Sequence, residues 1–293
     1  MNNYSPETIL INKQERGSDQ EEHKRNLDIA YKKAVILLDD ERIDPKDFED
    51  LYNEKMLDAH KKYVYDRQKK FKANNTPEQI EAQKYATVFE AIIHDQIDMN
   101  GWLGEHATAK KASWYDDLKN GIDEIIEFKQ TETSPTANLA LGVDVTFGKG
   151  IFDKMNNIKT RIDKGDIGDI QYLLTGTYIG VMKNVPRVIV GVDMKNLNEI
   201  IKLWVNNKKK GLAEHRVKFT ILSQMMVQLN DFAEYAEKVG QPVIADSFNK
   251  VLKIVENIWD QESKKSPDKN GDFNFEDDRV CSAIRSFCDD LSK

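Results

Sequence analysis

The chain has 293 residues, of which 40% are hydrophobic and 32% charged, and its formal net charge is −7. These values are typical of a globular protein with a sizeable core, and they disfavour a generic, strongly basic nucleic-acid-coating protein. The sequence has no apolar run of the roughly 20 residues that a membrane span needs and no apolar signal-peptide core near its start, so we expect a cytoplasmic protein without membrane association.

Polar residues without periodicity fill residues 1–24 and predict a mobile tail. Apolar residues then recur at helical spacing, which predicts an N-terminal helical region over residues 25–76. One helix is expected over residues 25–39. A second is expected over residues 45–73, behind Asp44, which suits an N-cap because a proline follows it.

The second of these helices is strongly basic along its later turns. Its basic side chains are Lys61, Lys62, Arg67, Lys69, Lys70 and Lys72. Such a run is typical of a solvated helix face, and it also suits a surface that contacts the phosphate backbone of a nucleic acid. Both interpretations stay open at this point.

A third helix is marked clearly at both ends. Thr76 before Pro77 combines an N-cap with a proline at the first helical position, and Gly101 suits a C-cap. These signals predict a helix over residues 77–100. That helix carries Glu90.

Glycine usage marks the start of a different region. Eleven of the 15 glycines lie between Gly101 and Gly191, and glycine is frequent where tight turns connect strands. The strands are therefore expected within residues 77–195, and residues 196–293 are expected to form a C-terminal helical region. The predicted elements after residue 101 are strands over 122–128 and 139–147, joined by a loop over 130–137, a helix over 151–164, strands over 172–178 and 185–192, a turn over 208–211, and helices over 198–206, 215–238, 242–262 and 275–291.

This order, helices followed by β–β–α–(β)–β and then more helices, predicts the fold class. We expect an α/β (α+β) protein with a small mixed sheet that is flanked by N-terminal and C-terminal helices.

Each of the two central strands carries a carboxylate inside an apolar segment. Asp123 begins the first run, and Asp144 lies in the second between Val143 and Val145. Ionised carboxylates are rarely buried unless they are paired or bind a metal, and Mg²⁺ prefers oxygen ligands. Asp123 and Asp144 are therefore candidate ligands of Mg²⁺ or Mn²⁺. A purely structural role, as a turn residue and one member of a buried ion pair, is the alternative.

A helix with one acid, followed by a hairpin with two more, resembles the core of the PD-(D/E)xK, or restriction-endonuclease-like, nuclease superfamily. The matching residues are Glu90 in VFEAIIHDQI, Asp123 in NGIDEIIEF and Asp144 in GVDVTF. The resemblance implies an αβββαβ-like topology over residues 77–195 and hydrolysis of phosphodiester bonds that depends on Mg²⁺ or Mn²⁺. It implies DNA, or alternatively RNA, as the binding partner. The oligomeric state is left open, with a homodimer as one option.

The lysine of the family motif is displaced in this chain. Thr146 stands where the family has lysine, and the resemblance implies that Lys149 or Lys154 supplies the charge from the following turn or helix. Among these two, Lys149 is the nearer along the chain.

A second register of the same motif is also present. Glu127-Phe128-Lys129 reads as E-x-K, and Asp117 lies ten residues before Glu127. In this register Asp117 and Glu127 are the metal ligands and Lys129 is the catalytic lysine.

Three functions follow as competing hypotheses. The first is a metal-dependent nuclease with Glu90, Asp123, Asp144 and Lys149 as catalytic residues. The second is a protein that keeps a nuclease fold for binding or scaffolding and has lost catalysis, which the displaced lysine and the acidic net charge favour. The third is a helical interaction protein whose sheet only organises the helices.

Overall fold

A computed structural model describes residues 6–73, 76–128, 139–146, 150–176, 178–265 and 278–291. The protein is a mixed α/β structure in which helices surround a small sheet. Its elements in chain order are α1 (Pro6–Asp40), α2 (Glu54–Ala73), α3 (Pro77–Asn100), β1 (Ala107–Lys111), α4 (Trp114–Asn120), β2 (Glu124–Phe128), β3 (Leu139–Thr146), α5 (Ile151–Asp163), β4 (Ile170–Leu174), β5 (Ile179–Met182), β6 (Arg187–Gly191), α6 (Met194–Val205), α7 (Lys209–Ala213), α8 (Val217–Lys238), α9 (Pro242–Lys265) and α10 (Arg279–Leu291).

The main sheet has four strands in the order β1-β2-β3-β6. The first three strands pair antiparallel, and β6 pairs parallel to β3 after the chain has crossed through α5. Strands β4 and β5 form a separate antiparallel pair. The sheet is therefore mixed, as the sequence predicts.

The register of β2 and β3 decides where the central acids lie. The paired register ends with Glu124 opposite Val143, and the amide of the preceding residue, Asp123, donates a hydrogen bond to the Val143 carbonyl at 2.9 Å. Asp123 therefore lies just before β2, beside the part of β3 that carries Asp144. Asp123 is two residues before Ile125, and Asp144 is two residues after Gly142, which lies opposite Ile125, so alternation along the strands places both aspartates on one side of the sheet.

Two apolar clusters cover the two faces. The larger one includes Val143 and Val145 and packs against α1, α3, α5, α6, α8, α9 and α10. The smaller one lies around Ile125 and Tyr172 and includes β4 together with Phe48 and Leu57 from the segment that leads into α2 and from α2 itself. Alternate residues of β3 face the larger cluster, which leaves Asp144 on the other face.

The third predicted helix is confirmed at both ends. Thr76 and Gln79 form a reciprocal capping box, and Gly101 closes the helix in the left-handed conformation with φ of 58°. The boundaries of α3 match the predicted range because the capping residues are strong local signals.

The N-terminal region differs from the prediction in two places. Helix α1 begins at Pro6, so residues 6–24 extend the predicted helix and are helical where an irregular tail was expected. These residues are polar but contain many good helix formers, which composition without periodicity does not reveal. The expected helix over residues 45–73 is interrupted: Pro45–Phe48 forms a 3-10 turn with Asp44 as its N-cap, and α2 starts at Glu54.

Further corrections concern short elements. Strand β1 and helix α4 were not predicted, because each is too short to show a clear period. The strand expected over 172–178 is β4, which pairs with the unpredicted β5 instead of joining the main sheet, and the expected turn at 208–211 is part of α7. The predicted loop over 130–137 lies outside the described residues. None of the described helices is long and apolar enough to cross a membrane.

Candidate active site

A cleft of about 750 Å³ opens at the end of the sheet where β2 begins. Its walls come from α1, α2, α3 and α4, and its floor comes from the sheet and the first turns of α5. Five carboxylates line it, and we call it the acidic cleft: Glu90, Asp117, Asp123 and Asp144, with Asp39 near the end of α1.

The two central aspartates are held together by the sheet. The backbone amide of Val145 donates a hydrogen bond to the Asp123 carboxylate at 2.7 Å, so Asp123 reaches across to the strand that carries Asp144. Asp144 is only 5% exposed. The chain before β2 also passes close to it, because a Cβ on Gly121 would lie 3.0 Å from the Arg187 guanidinium and 3.7 Å from the Asp144 carboxylate.

Lys154 is the lysine that lies beside Asp144; the sequence left Lys149 and Lys154 as alternatives. Its Nζ lies 2.5 Å from Asp144 Oδ1, although the two residues are ten apart in the chain and belong to α5 and β3. The lysine side chain is 35% exposed, so it lies at the edge of the cleft with access to solvent. Lys149, the other predicted source of the charge, lies outside the described residues.

The environment of Asp144 disfavours its ionised form. Burial and then the charge of Asp123 raise the pKa of Asp144 to about 6, while Lys154 and Arg187 act in the opposite direction. A buried carboxylate beside a second one behaves in this way because like charges cannot both be ionised without a cost. A cation placed between them would remove that cost.

Glu90 of α3 enters the cleft with Lys111 of β1. The Lys111 ammonium contacts the Glu90 carboxylate and donates a hydrogen bond to the Asp123 carbonyl at 2.7 Å. Burial raises the pKa of Glu90 to about 8, Lys111 opposes that shift, and the neighbouring acids add to it. Burial lowers the pKa of Lys111, but the carboxylates of Glu90 and Asp117 outweigh burial and raise it.

Asp117 of α4 is the fourth acid. Arg42, which follows α1, places its guanidinium 3.4 Å from the Asp117 carboxylate and 3.6 Å from the centre of the Trp114 ring. Burial raises the pKa of Asp117 to about 6 against the attraction of Lys111 and Arg42. Asp117 therefore belongs to the same electrostatic group as Asp123 and Glu90.

His94 lies one turn further along α3 but serves another purpose. Its Nδ1 lies 3.0 Å from the Glu124 carboxylate, and both side chains are buried outside the cleft. Burial lowers the pKa of His94, but the hydrogen bond and charge of Glu124 outweigh burial and raise it. This pair joins α3 to β2 and is structural.

Of the described residues in the second register of the motif, the structure shows one in the cleft. Asp117 lines the cleft, but it comes from a helix and not from a strand. Glu127 is buried in β2, four residues beyond Asp123, and is not among the described residues that line the cleft. Lys129 lies outside the described residues. The first register, with Asp123 and Asp144, accounts for more of the cleft.

Comparisons were made with models of protein families, with curated proteins and with solved structures. None of them matches this chain. The interpretation of the cleft therefore depends on its geometry and chemistry.

The donor set fits a cation that keeps much of its water. Within the part of the chain that the structure describes, no group of three or more His, Cys, Asp or Glu residues is arranged to hold a metal. The available ligands are the paired carboxylates of Asp123 and Asp144. Mg²⁺ is commonly bound by one or two carboxylates, with water and substrate phosphate completing its octahedron, so this pair suits Mg²⁺ or the similar Mn²⁺.

Three basic residues of the site were not predicted from sequence: Arg42, Lys111 and Arg187. Lys111 lies in the short stretch ATAKK, where two adjacent lysines resemble an exposed turn. In the structure alternate residues of β1 are buried, and Lys111 continues that alternation. The positions of Ala109 and Ala107, two and four residues before Lys111, are the part of this pattern that the sequence contains.

Proposed function

We propose that the acidic cleft is the active site of a metal-dependent nuclease that hydrolyses phosphodiester bonds of DNA, or alternatively of RNA. The single observation that carries this proposal is the pair of aspartates, Asp123 and Asp144, which line the same cleft: Asp123 accepts a hydrogen bond from the backbone next to Asp144, and Lys154 contacts Asp144. Two acids and a lysine at one point of a sheet form the kind of site that phosphodiester hydrolysis requires.

The order of elements around the cleft supports the same proposal. Helix α3 is followed by the antiparallel strands β1, β2 and β3, then by α5, and then by β6 parallel to β3. With α4 and the β4–β5 pair as additions, this order is compatible with the αβββαβ topology that the resemblance to the PD-(D/E)xK superfamily implies. The acids Glu90, Asp123 and Asp144 occupy the helix, the start of the second strand and the third strand of that order.

Each side chain has a defined task in this proposal. A divalent cation held by Asp123 and Asp144 would activate a water molecule and offset the charge that develops on the phosphate. Lys154 exchanges Asp144 for a phosphate oxygen, which its exposed position permits, and stabilises that oxygen electrostatically. Glu90 pairs with the buried Lys111 ammonium, and this pair joins α3 to β1 at the cleft.

Lys111 acts as a positioning residue. It joins Glu90, the Asp123 carbonyl and, at 3.8 Å, the Asp117 carboxylate, so it fixes the spacing of three elements around the cleft. It is fully buried and therefore does not reach a substrate itself.

A specific observation favours a second candidate function, a nuclease-like fold that binds nucleic acid without cleaving it. Lys154 neutralises Asp144 directly, and the described residues provide only two paired carboxylates for a cation. The third hypothesis, a helical interaction protein, stays a prediction that no contact in the described residues favours.

Incubation of the protein with end-labelled DNA and RNA, in Mg²⁺, Mn²⁺ or EDTA, tests the proposal. We expect cleavage in either metal, none in EDTA and strongly reduced cleavage by the variant Asp144→Asn. Asp163→Asn is the control, because Asp163 also pairs with a lysine of α5, at 3.1 Å, but on the surface. Absence of cleavage of every substrate, or equal cleavage by Asp144→Asn, contradicts the proposal. Nucleic-acid binding without cleavage supports the second candidate.

A further inference from the structure

Two aromatic side chains at the acidic cleft are unusually open to solvent. Phe71, near the end of α2, is 49% exposed, and Trp114, at the start of α4, is 40% exposed. Both line the cleft that contains Asp123 and Asp144. Large aromatic groups at a polar cleft are typical of surfaces that stack on planar ligands.

Each of these rings also has an arginine beside it. The Arg42 guanidinium lies 3.6 Å from the centre of the Trp114 ring, and the Arg67 guanidinium lies 5.5 Å from the centre of the Phe71 ring. Arg67 is exposed and provides positive charge beside the Phe71 ring, whereas Arg42 is paired with Asp117 and holds the Trp114 ring in place. Bases with attached phosphates match this combination, because bases stack on aromatic rings and phosphates attract guanidinium groups.

The helix that carries Phe71 is basic in an otherwise acidic chain. Helix α2 has seven lysine and arginine residues against three acids, whereas the whole chain has a net charge of −7. Six of these basic residues are exposed, namely Lys55, Lys61, Lys62, Arg67, Lys69 and Lys70. The positive charge of this helix, which also contributes Gln68 and Phe71 to the cleft, favours a polyanionic partner.

The size and depth of the cleft favour one strand of nucleic acid. Its volume of about 750 Å³ is walled by α1, α2, α3 and α4, and Asp144 at its floor is 5% exposed. Cavities of roughly 300–1,000 Å³ enclose ligands of small-molecule size, which corresponds to one or two nucleotides. The phosphates of an intact duplex lie on a rigid cylinder and do not reach such a floor, whereas a single strand can bend into the cleft.

We propose that the acidic cleft takes single-stranded nucleic acid, which approaches along α2 and stacks its bases on Phe71 and Trp114. This assignment names the substrate class of the proposed nuclease and rests on that function for its chemistry. Binding itself needs no cleavage and is tested separately.

Fluorescence anisotropy with labelled 20-nucleotide strands and the corresponding duplexes, in EDTA, tests the assignment. We expect single strands to bind at least about tenfold more tightly than duplexes, since stacking on each exposed ring contributes substantially. The variants Phe71→Ala and Trp114→Ala are each expected to weaken single-strand binding by about tenfold. Phe152→Ala is the matched control, because Phe152 is 47% exposed but lies against Phe287 outside the cleft lining.

A further variant separates stacking from folding. Trp114→Phe keeps an aromatic ring and is expected to retain most of the affinity that Trp114→Ala loses. Thermal melts of all variants report whether the fold is intact.

The outcomes distinguish this assignment from the proposed catalysis. Ring-dependent binding of single strands without cleavage supports the assignment and contradicts the catalytic proposal. Cleavage of duplexes at the same rate as single strands, with no effect of Phe71→Ala or Trp114→Ala, overturns the assignment while the nuclease proposal stands. Absence of single-strand binding also overturns it.

Discussion

Polar side chains meet the main sheet in two places, and they are arranged in opposite ways. On β6, the outer strand of the sheet, Gln228 of α8 accepts a hydrogen bond from the Ile189 amide at 2.9 Å and donates one to its carbonyl at 2.7 Å. Gln224 does the same with Gly191, at 2.9 Å in both directions. These neutral amides satisfy backbone groups on the side of β6 that faces away from β3.

The acidic cleft is arranged differently. Its carboxylates contact Lys111, Arg42 and Lys154 but also lie close to one another, and burial together with their mutual repulsion raises the pKa of Glu90, Asp117 and Asp144. Hydrogen-bonded amides favour folding, whereas carboxylates that are buried close together disfavour it. Groups with strongly shifted pKa values cluster at functional sites, so the difference supports the function that we propose for the cleft.

The activity of the variant Asp144→Asn is the strongest test of the contrast between the acidic cleft and β6. The substitution removes a charge that the proposed cation requires and changes little else, because asparagine has nearly the same shape. We expect the cleavage rate to fall by roughly 10²–10³-fold, a loss comparable to removal of one transition-state electrostatic partner. Single-turnover cleavage in Mg²⁺ measures it, with Asp163→Asn expected to retain the wild-type rate.

At β6 we expect a substitution to lower stability and to leave the activity unchanged. Gln228→Leu leaves the Ile189 amide and carbonyl without their side-chain partner, and buried polar groups that lose a partner cost about 1–3 kcal/mol each. We therefore expect the free energy of unfolding to fall by about 2–4 kcal/mol, with no change in metal dependence. Urea denaturation measures it. Asn230→Ala, on the less buried side of the same helix, is the control; an equal loss there would contradict a specific role for Gln228.

A substitution of Lys154 tests whether this residue takes the role of the lysine in the family motif. Lys154→Met removes the ammonium that contacts Asp144 but keeps the length of the side chain. We expect a loss of roughly 10–100-fold in cleavage rate, mainly in kcat, because the charge acts on the phosphate in the transition state. Lys159→Met is a closely matched control: Lys159 is also on α5, also 35% exposed and also paired with an aspartate. Equal losses in both variants would point to α5 itself.

The sequence predicts those parts of the site whose signals are local in the chain. Glu90, Asp123 and Asp144 could be found because the capping signals of α3 and the apolar runs of β2 and β3 are local. Their register could be expected, since an aspartate between two buried valines must face away from the larger core.

The remaining parts depend on contacts that are distant in the chain. Arg42 meets Asp117 and Lys111 meets Glu90 only after the helices pack on the sheet. Lys154 was one of two candidate lysines, and its contact with Asp144 depends on the angle at which α5 leaves the sheet. Strand β1 was missed because its five residues, Ala-Thr-Ala-Lys-Lys, include no large apolar side chain and give little hydrophobic periodicity.

The smallest expected effect concerns the stability of the metal-free protein. The folded-state pKa of Asp144, about 6, exceeds its ordinary value of 3.8, so the native state binds the proton more tightly than the unfolded chain does. Stability therefore falls as pH rises from about 4 to about 6, and the penalty persists above that range. Asp144→Asn should remove it and stabilise the protein by about 1–2 kcal/mol at pH 8, but not near pH 4.

Chemical denaturation in EDTA near pH 4 and at pH 8 checks whether Asp144→Asn is stabilised at the higher pH alone. A destabilised Asp144→Asn at pH 8 would show that the Asp144–Lys154 pair contributes to folding, as the glutamine pairs on β6 do. The acidic cleft would then lose its distinction from the structural region.

The central claim is that Asp123 and Asp144 together form a divalent-cation site, and direct binding of Mn²⁺ at pH 7.5 tests it without reference to any substrate. Titration followed by electron paramagnetic resonance of free Mn²⁺ should show one site in the wild-type protein and in Asp163→Asn. The same titration should show that site lost in Asp123→Asn and Asp144→Asn. Equal Mn²⁺ binding by all four proteins, or none by the wild type, would contradict the account.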